Sequence, residues 1–386
     1  MLVTTIHEQI KNSTLSRCQG AKHNQMKKTK HLISKIMFSL VSLFVGGFLL
    51  KAPAPTQSAD TFQTLIESKE PVIFTKQCGD NVTQILCDAI DSAKKDIFLS
   101  IYDLSAPAIT TSLKKQVSAR IPVCIHYQRI SKNAEFSQSP YLTLGEHPPM
   151  HRKLMHQKTM AIDGELAWIG SANFTLASLE KSANLIIGLK SAEICHFIKT
   201  QTSGRCFINN QLIEYFSFDG GSSAALETVL HHIRSAKESI QVGMFALTLP
   251  QIIAELNAAQ NCGVDVVILV DKGYKSFTVQ QIKQLEHPSL SIYEKVTPYQ
   301  LHHKFGIFDK KTLITGSVNW SENGFLINTE DMIVIENLTE KQQSKIQAIW
   351  EGLVRECALY YSPDQEEKEK DPLIIPFPPS EKKQAA

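Results

Sequence analysis

The sequence has no CxxC pair among its eight cysteines, no carboxylate cluster spaced to hold a metal, and no basic excess beyond its first 51 residues. The first absence removes zinc ribbons and thioredoxin-like dithiols. The cysteines are Cys18, Cys78, Cys87, Cys124, Cys195, Cys206, Cys262 and Cys357. In an exported chain the Cys195/Cys206 region could form a disulfide; buried free thiols are the alternative. The charge is unevenly placed. Through Lys51 there are eight basic residues against one acid, Glu8, a net of +7, which leaves the remainder at −5 of the overall +2. An acidic body argues against a general nucleic-acid scaffold, although one groove could still be basic. What the chain does have is ordinary globular composition, 43% hydrophobic and 20% charged over 386 residues. That supports a sizeable core, in two domains or one large pseudo-symmetric one.

Residues 1–59 read as a targeting or anchor segment. Basic residues crowd Lys22 to Lys35, an apolar run follows from Ile36 to Leu50, and Lys51-Ala52-Pro53-Ala54-Pro55 closes it. Such a run suits a signal-peptide core and is short for a full span. Counting back to Leu32 gives a marginal signal anchor. Met26-Lys27-Lys28 resembles a natural start. The expectation is an exported or membrane-anchored, bacterial protein. At the other end, residues 362–386 are rich in Pro, Glu and Lys and read as a disordered tail.

Between these ends the chain repeats itself. Ser92-Ala93-Lys94-Lys95-Asp96-Ile97 matches Ser235-Ala236-Lys237-Glu238-Ser239-Ile240. Each follows an apolar pattern at helical spacing: Val82, Ile85, Leu86, Ala89, Ile90 and Ala93 in one copy, Leu226, Val229, Leu230 and Ile233 in the other. Each leads into a predicted strand, Ile97 to Tyr102 and Ile240 to Phe245. A helix and a strand then follow: 108–117 and 121–126, then 250–259 and 264–270. Alternating strands and helices predict an α/β layer around a mixed sheet in each half, residues 60–200 and 211–361. Residues 201–210 read as the linker.

The repeat ends in a denser match. His156-Gln157-Lys158 is followed by Asp163 and by Gly170-Ser171-Ala172-Asn173; His302-His303-Lys304 is followed by Asp309 and by Gly316-Ser317-Val318-Asn319. Every interval is the same in the two copies. On a strand, residues two apart share a face, so each histidine projects with its lysine, while His303 points the other way and reads as structural. Glycine lets backbone approach a ligand closely, and Ser171, Asn173, Ser317 and Asn319 could donate to phosphoryl oxygens. Packing the halves about a pseudo-twofold axis would bring both sets to one cleft. One imidazole could then attack phosphorus while the other protonates the leaving oxygen and later activates water. Lys158 and Lys304 would stabilise the non-bridging oxygens, without a metal or any other cofactor.

These residues resemble the paired HKD motifs, HxKx4Dx6GSxN, of the phospholipase D superfamily, over roughly residues 60–361. The resemblance implies a pseudo-dimer of α/β sandwiches and a covalent phosphohistidine. It makes Asp163 and Asp309 supports of local structure. It also implies a histidine-orienting Asn-x-Glu, matched by Asn328-Thr329-Glu330. The first half departs from this pattern with Ser182-Ala183-Asn184, where Asn184 could fix a tautomer and Glu180 could substitute for the missing acid. The family's usual choice of nucleophile favours His156; Glu330, taken as the partner of His302, would favour His302. His147 and His151 are candidates for the pocket rim or for a solvated loop, and Tyr299 and Gln300 for the rim. Trp168 and Trp320 read as core, with Trp320 an alternative pocket wall.

The substrate is less legible. A membrane-directed N-terminus and a non-basic body favour a phospholipid, hydrolysed to phosphatidic acid and headgroup alcohol. A nuclease acting on nucleic acid is the first alternative, and a cardiolipin synthase-like transferase the next. An inactive, membrane-tethered binding protein is the reading outside enzymology. No obligate protein partner is implied, since one chain holds both motifs.

Overall fold

The repeat folds into two mixed sheets. The structure, a computed structural model, describes residues 59–131, 136–148 and 150–363. The expected targeting segment and nearly all of the tail therefore lie outside the described residues. Among the described residues no helix is long and apolar enough to cross a membrane.

The first sheet contains β1 (Val72–Phe74), β2 (Ile97–Leu104), β3 (Val123–Ile130), β4 (Leu142–Glu146), β5 (Lys158–Ile162), β6 (Leu166–Gly170) and β7 (Ile186–Lys190). Its spatial order is β1-β7-β6-β5-β2-β3-β4. The second contains β8 (Gly204–Ile208), β9 (Gln211–Asp219), β10 (Ser239–Met244), β11 (Asp265–Val270), β12 (Ile292–Lys295), β13 (Lys304–Phe308), β14 (Thr312–Gly316), β15 (Thr329–Ile335) and β16 (Cys357–Tyr361). Its order is β16-β12-β11-β10-β13-β14-β15-β9-β8. Six strands of each sheet correspond one to one, from β7 and β15 at one side to β4 and β12 at the other.

Local chemistry explains the matching elements. Asn81 and Ser222 cap the helices Val82–Asp91 and Ser223–Ser235 by accepting from the N–H of Gln84 and Ala225. The predicted apolar positions Ile85, Leu86, Ile90, Val229, Leu230 and Ile233 are buried on them. Proline opens both crossover helices, Pro107–Ser118 and Pro250–Asn261, where its missing N–H costs nothing. These helices join the parallel pairs β2/β3 and β10/β11. Helices cover the outer faces. A core of apolar residues from both halves, among them Ile169, Ile187, Leu269, Phe305, Ile333 and Trp350, fills the layer between the sheets.

Residues 201–210 are not a free linker. Gly204–Ile208 is β8, the edge strand of the second sheet, paired with β9 across Asn209 and Asn210, whose φ values are 47° and 65°. Two left-handed residues in a two-residue loop make a tight hairpin, and Asn tolerates that conformation. The signal was the Asn-Asn pair. The cysteine alternatives also separate: Cys195 and Cys206 form no disulfide with each other and are free thiols.

The motif aspartates explain why the Ser-Ala-Lys segment repeats. Asp163 turns β5 into β6 with φ 59°, and Asp309 turns β13 into β14 with φ 50°. The carboxylate of Asp163 accepts from the backbone N–H groups of Lys94, Lys95 and Asp96. That of Asp309 accepts from Lys237, Glu238 and Ser239. Each ties the strand hairpin to the turn entering β2 or β10, away from the histidines. Burial opposes ionisation of Asp309, but the three backbone donors prevail and hold its carboxyl below its ordinary value. A depressed carboxyl pKa stabilises the fold above its unfolded value, and that contribution is lost as pH falls through the native one. Asp309→Ala should lower unfolding free energy by about 1–3 kcal/mol at pH 7. In parallel urea titrations the difference from wild type should shrink below about pH 4; a constant difference would contradict this role.

Candidate active site

Both histidines sit two residues ahead of a strand that runs into the inter-sheet core, and each is stitched to the opposite half by backbone. The N–H of His156 donates to Thr329 O at 2.8 Å, and Thr329 N–H returns a bond to Leu154 O at 2.8 Å. Symmetrically, the N–H of His302 donates to Ala183 O at 2.9 Å, and Ala183 N–H to Gln300 O at 2.9 Å. These parallel bridges join the segment before each histidine to the segment after the other half's Gly-Ser-x-Asn.

The bridges place the orienting residues across the seam. His156 Nδ1 lies 2.9 Å from both carboxylate oxygens of Glu330. His302 Nδ1 lies 2.9 Å from Asn184 Oδ1. Glu330 was expected beside His302 and is instead the partner of His156; Asn184 serves His302. The reason is geometric, because the Asn-x-Glu segment leaves its own half to pair with the opposite histidine strand. Glu180 does not substitute: its residue is exposed, and its backbone oxygen accepts from Lys76 Nζ at 2.8 Å.

Other expected contacts are also rearranged. Ser171 and Ser317 are fully buried and do not face the cleft. Ser171 Oγ donates to Asn184 Oδ1 at 2.9 Å, and Ser317 Oγ donates to Glu330 Oε2. Asn328 Nδ2 adds a second donor to Glu330, at 2.9 Å. The serines thus hold the groups that hold the histidines. The motif glycines admit a neighbouring strand rather than a ligand. A Cβ on Gly170 would lie 2.5 Å from Leu185 O, and one on Gly316 2.4 Å from Asp331 O. Asn173 and Asn319 remain half-buried, each with a buried Oδ1 that has no protein partner. Asp163 and Asp309, in their turns, take no part in the cleft.

The lysines behave as a matched pair. Lys158 Nζ donates to His156 O at 2.5 Å, and Lys304 Nζ to His302 O at 2.7 Å. Lys158 is 3% exposed and Lys304 1%, so both charges are held almost out of water. Burial pushes Lys158 down to about 8 and Lys304 well below its ordinary value. Burial, and then the two lysine charges, hold both imidazoles well below the usual histidine range. The charge of His156 adds a smaller push in the same direction on His302. Burial pushes Glu330 up to about 7, against the pull of Lys158 and its hydrogen-bond donors.

Several contributors carry no motif signature. Tyr102 meets the His156 ring edge-on at 5.3 Å, and Phe245 meets His302 at 4.9 Å. Lys158 and Lys304 lie over the same two rings. Both aromatics stand five residues after the repeat's Ile97 and Ile240, a correspondence that could have revealed them. Asp331 is buried, accepts from Lys158 N–H at 3.1 Å and is pushed up to about 7 by burial. It has no counterpart in the first half, where Leu185 stands, so symmetry could not have shown it. His303 faces away, as expected, toward Gln77 Oε1 at 2.5 Å. Trp168 and Trp320 are core. His147 packs on His126, His151 is exposed, and Tyr299 and Gln300 are exposed just before His302. Among the described residues no group of three His, Cys, Asp or Glu is placed to hold a metal ion.

Gly170→Ala and Gly316→Ala should each cost about 2 kcal/mol or more, because the added Cβ meets backbone that cannot swing away. Urea unfolding followed by circular dichroism measures this. An effect near zero would show that the strands can part.

The profile of the family described as "cardiolipin synthase, PLD-like domain" matches residues 86–203 and again 229–351, once in each half. A mouse (Mus musculus) mitochondrial cardiolipin hydrolase is 30% identical over 133 residues, 34% of this chain and 60% of that protein. The phospholipase D of Rickettsia prowazekii (strain Madrid E) is 25% identical over 175 residues, 42% of this chain and 85% of that one. The chain spans between 45% and 63% of the length of the cardiolipin hydrolases it matches. In fold it is similar to the phosphatidylserine synthase of Haemophilus influenzae Rd KW20. The TM-score is 0.61 over 77% of this chain and 89% of that one, at 10% identity. With two matched copies of the domain, one per sheet, this chain belongs to the phospholipase D-like family.

Proposed function

We propose that the chain is a phosphodiesterase that hydrolyses phospholipid to phosphatidic acid and a headgroup alcohol through a covalent phosphohistidine. The observation that carries this reading is the crossed pair of oriented imidazoles. Each Nδ1 is engaged by an acceptor from the opposite half, which leaves each Nε2 for chemistry. The names of its relatives, cardiolipin hydrolase and phospholipase D, support a lipid substrate.

The unequal partners divide the labour. Glu330 accepts the Nδ1 proton of His156, so Nε2 keeps its lone pair and attacks phosphorus. The new N–P bond makes that ring cationic, and the carboxylate stabilises the charge. As the P–O bond to the headgroup breaks, the leaving oxygen takes a proton from Nε2 of His302, which enters this step as imidazolium; burial and the lysine charges disfavour that form in the free site, and the anionic phosphodiester seated between the rings offsets them. Asn184 orients that ring without a counter-charge, which favours release of its proton. Water then attacks phosphorus, loses a proton to His302 Nε2, and the N–P bond breaks. Lys158 and Lys304 stabilise the non-bridging oxygens in a site largely shielded from water.

On this scheme His156→Ala forms no covalent intermediate and loses turnover by about a thousandfold or more. His302→Ala accumulates phosphoryl on His156 when the leaving group is an aryl oxide that needs no proton. Mass spectrometry under neutral quench reads both; label on residue 302 would reverse the roles. With an aryl phosphodiester, kcat/KM should fall above about pH 8. Lys158 is cationic below its pKa of about 8 and neutral above it, so its stabilisation is lost as pH rises. A flat profile from pH 7 to pH 10 would remove that lysine from the chemistry.

Phosphatidylcholine and cardiolipin vesicles assayed beside single-stranded DNA test the substrate. Lipid hydrolysis is expected, and cleavage of DNA alone would overturn the lipid reading. Phosphatidyl transfer is the second reading, favoured by the description of the matched profile. Added glycerol would then appear in a phosphatidyl product in preference to hydrolysis.

A further inference from the structure

We infer that the two rims of the cleft form a membrane-contacting surface that seats the catalytic face on a phospholipid bilayer. The inference rests on the lipid reading above and deepens it. Each rim combines the segment before one histidine with the segment after the other half's Gly-Ser-x-Asn. At one rim, Arg152 donates to Asn323 Oδ1 at 3.0 Å and Lys153 meets Asp219 at 2.8 Å. At the other, Lys76 donates to Glu180 O and lies 5.9 Å over the Tyr299 ring.

On these four segments stand Met150, 66% exposed, and Val296, 58% exposed, together with the exposed Leu176, Tyr299 and Leu326. They are five of the twelve exposed large apolar side chains among the described residues, gathered on a small share of the chain. Scattered exposed apolar residues need no explanation, but a set flanking one cleft on both sides does. The placement also selects the partner. Whatever touches both rims presents its phosphodiester between them. Nucleic acid would call for cations and aromatic stacking along the strand, whereas four of these five side chains are aliphatic. A bilayer offers acyl chains beside the phosphate, and the rim cations Lys76, Arg152 and Lys153 suit anionic headgroups. Glu180 is offset by the adjacent Lys181, while Glu322 and the Asp219 that pairs with Lys153 moderate the charge of the other rim, so apolar insertion carries the contact.

The test uses the full chain and a Met150→Glu/Val296→Glu/Leu326→Glu variant, none of whose positions touches the histidines or lysines. Vesicles are equimolar phosphatidylcholine and phosphatidylglycerol. Hydrogen–deuterium exchange should show protection of residues 150–155, 296–301 and 321–328 when vesicles are added to wild type, and none in the variant. That readout is independent of any anchoring by the N-terminal segment. Hydrolysis of vesicle lipid should fall about tenfold or more in the variant. Hydrolysis of a short-chain phospholipid kept monomeric should stay within about twofold, because the rims act on seating rather than chemistry. Unprotected rims in wild type overturn the inference, as does a variant that hydrolyses vesicles normally, or protection by a single-stranded oligonucleotide instead of vesicles. If neither lipid form is hydrolysed, the lipid reading fails, and vesicle protection alone still decides the surface.

Discussion

Each motif imidazole is held by an acceptor that belongs to the other half of the molecule, and the remaining architecture can be traced from that crossing. The Nδ1 bonds from His156 to Glu330 and from His302 to Asn184 exist only when the two sheets are packed face to face. Backbone bridges beside each histidine fix the same register. Ser171 and Ser317 lock the acceptors, and the motif glycines let the acceptor-bearing strands come close enough. Neither half alone provides both a histidine and its acceptor, so the arrangement needs both copies of the motif.

The crossing concentrates cost. Lys158, Lys304, Glu330 and Asp331 are almost wholly buried within a few residues of one another in the fold. Buried charges are expensive even when paired, and apolar replacements would often be as stable or more so. Burial moves every one of these groups toward its neutral form: the lysines and histidines fall, and Glu330 and Asp331 rise to about 7. The two halves are alike in backbone and unlike in charge, since Glu330-Asp331 stands where the first half has Asn184-Leu185. That difference is the basis on which the proposed scheme assigns His156 as nucleophile and His302 as acid.

Much of this was legible before the fold. The identical spacing of two motifs required equivalent strands, and the Ser-Ala-Lys repeat marked where each begins. The structure adds why the two signals co-occur, since Asp163 and Asp309 cap those very turns. Local periodicity served well for Val82–Asp91 and Ser223–Ser235, whose apolar faces face the core. It failed where partners come from far along the chain. Nothing near Glu330 shows that its histidine is 174 residues away. Nothing in Gly-Ser-x-Asn distinguishes a serine facing phosphate from one that braces a neighbour. Residues 201–210 differ from expectation for the opposite reason: their composition suits a linker, while pairing with β9 makes Gly204–Ile208 an edge strand.

Nitrogen-15 NMR of the histidine rings tests the crossing most directly, by following tautomer and titration in wild type, Glu330→Gln and Asn184→Ala. The account predicts that both rings carry the proton on Nδ1 at neutral pH in wild type, that Glu330→Gln perturbs the ring of His156 and spares that of His302, and that Asn184→Ala does the reverse. If Glu330→Gln changed His302 and left His156 untouched, the halves would not share their acceptors, and the single composite site described above would be wrong.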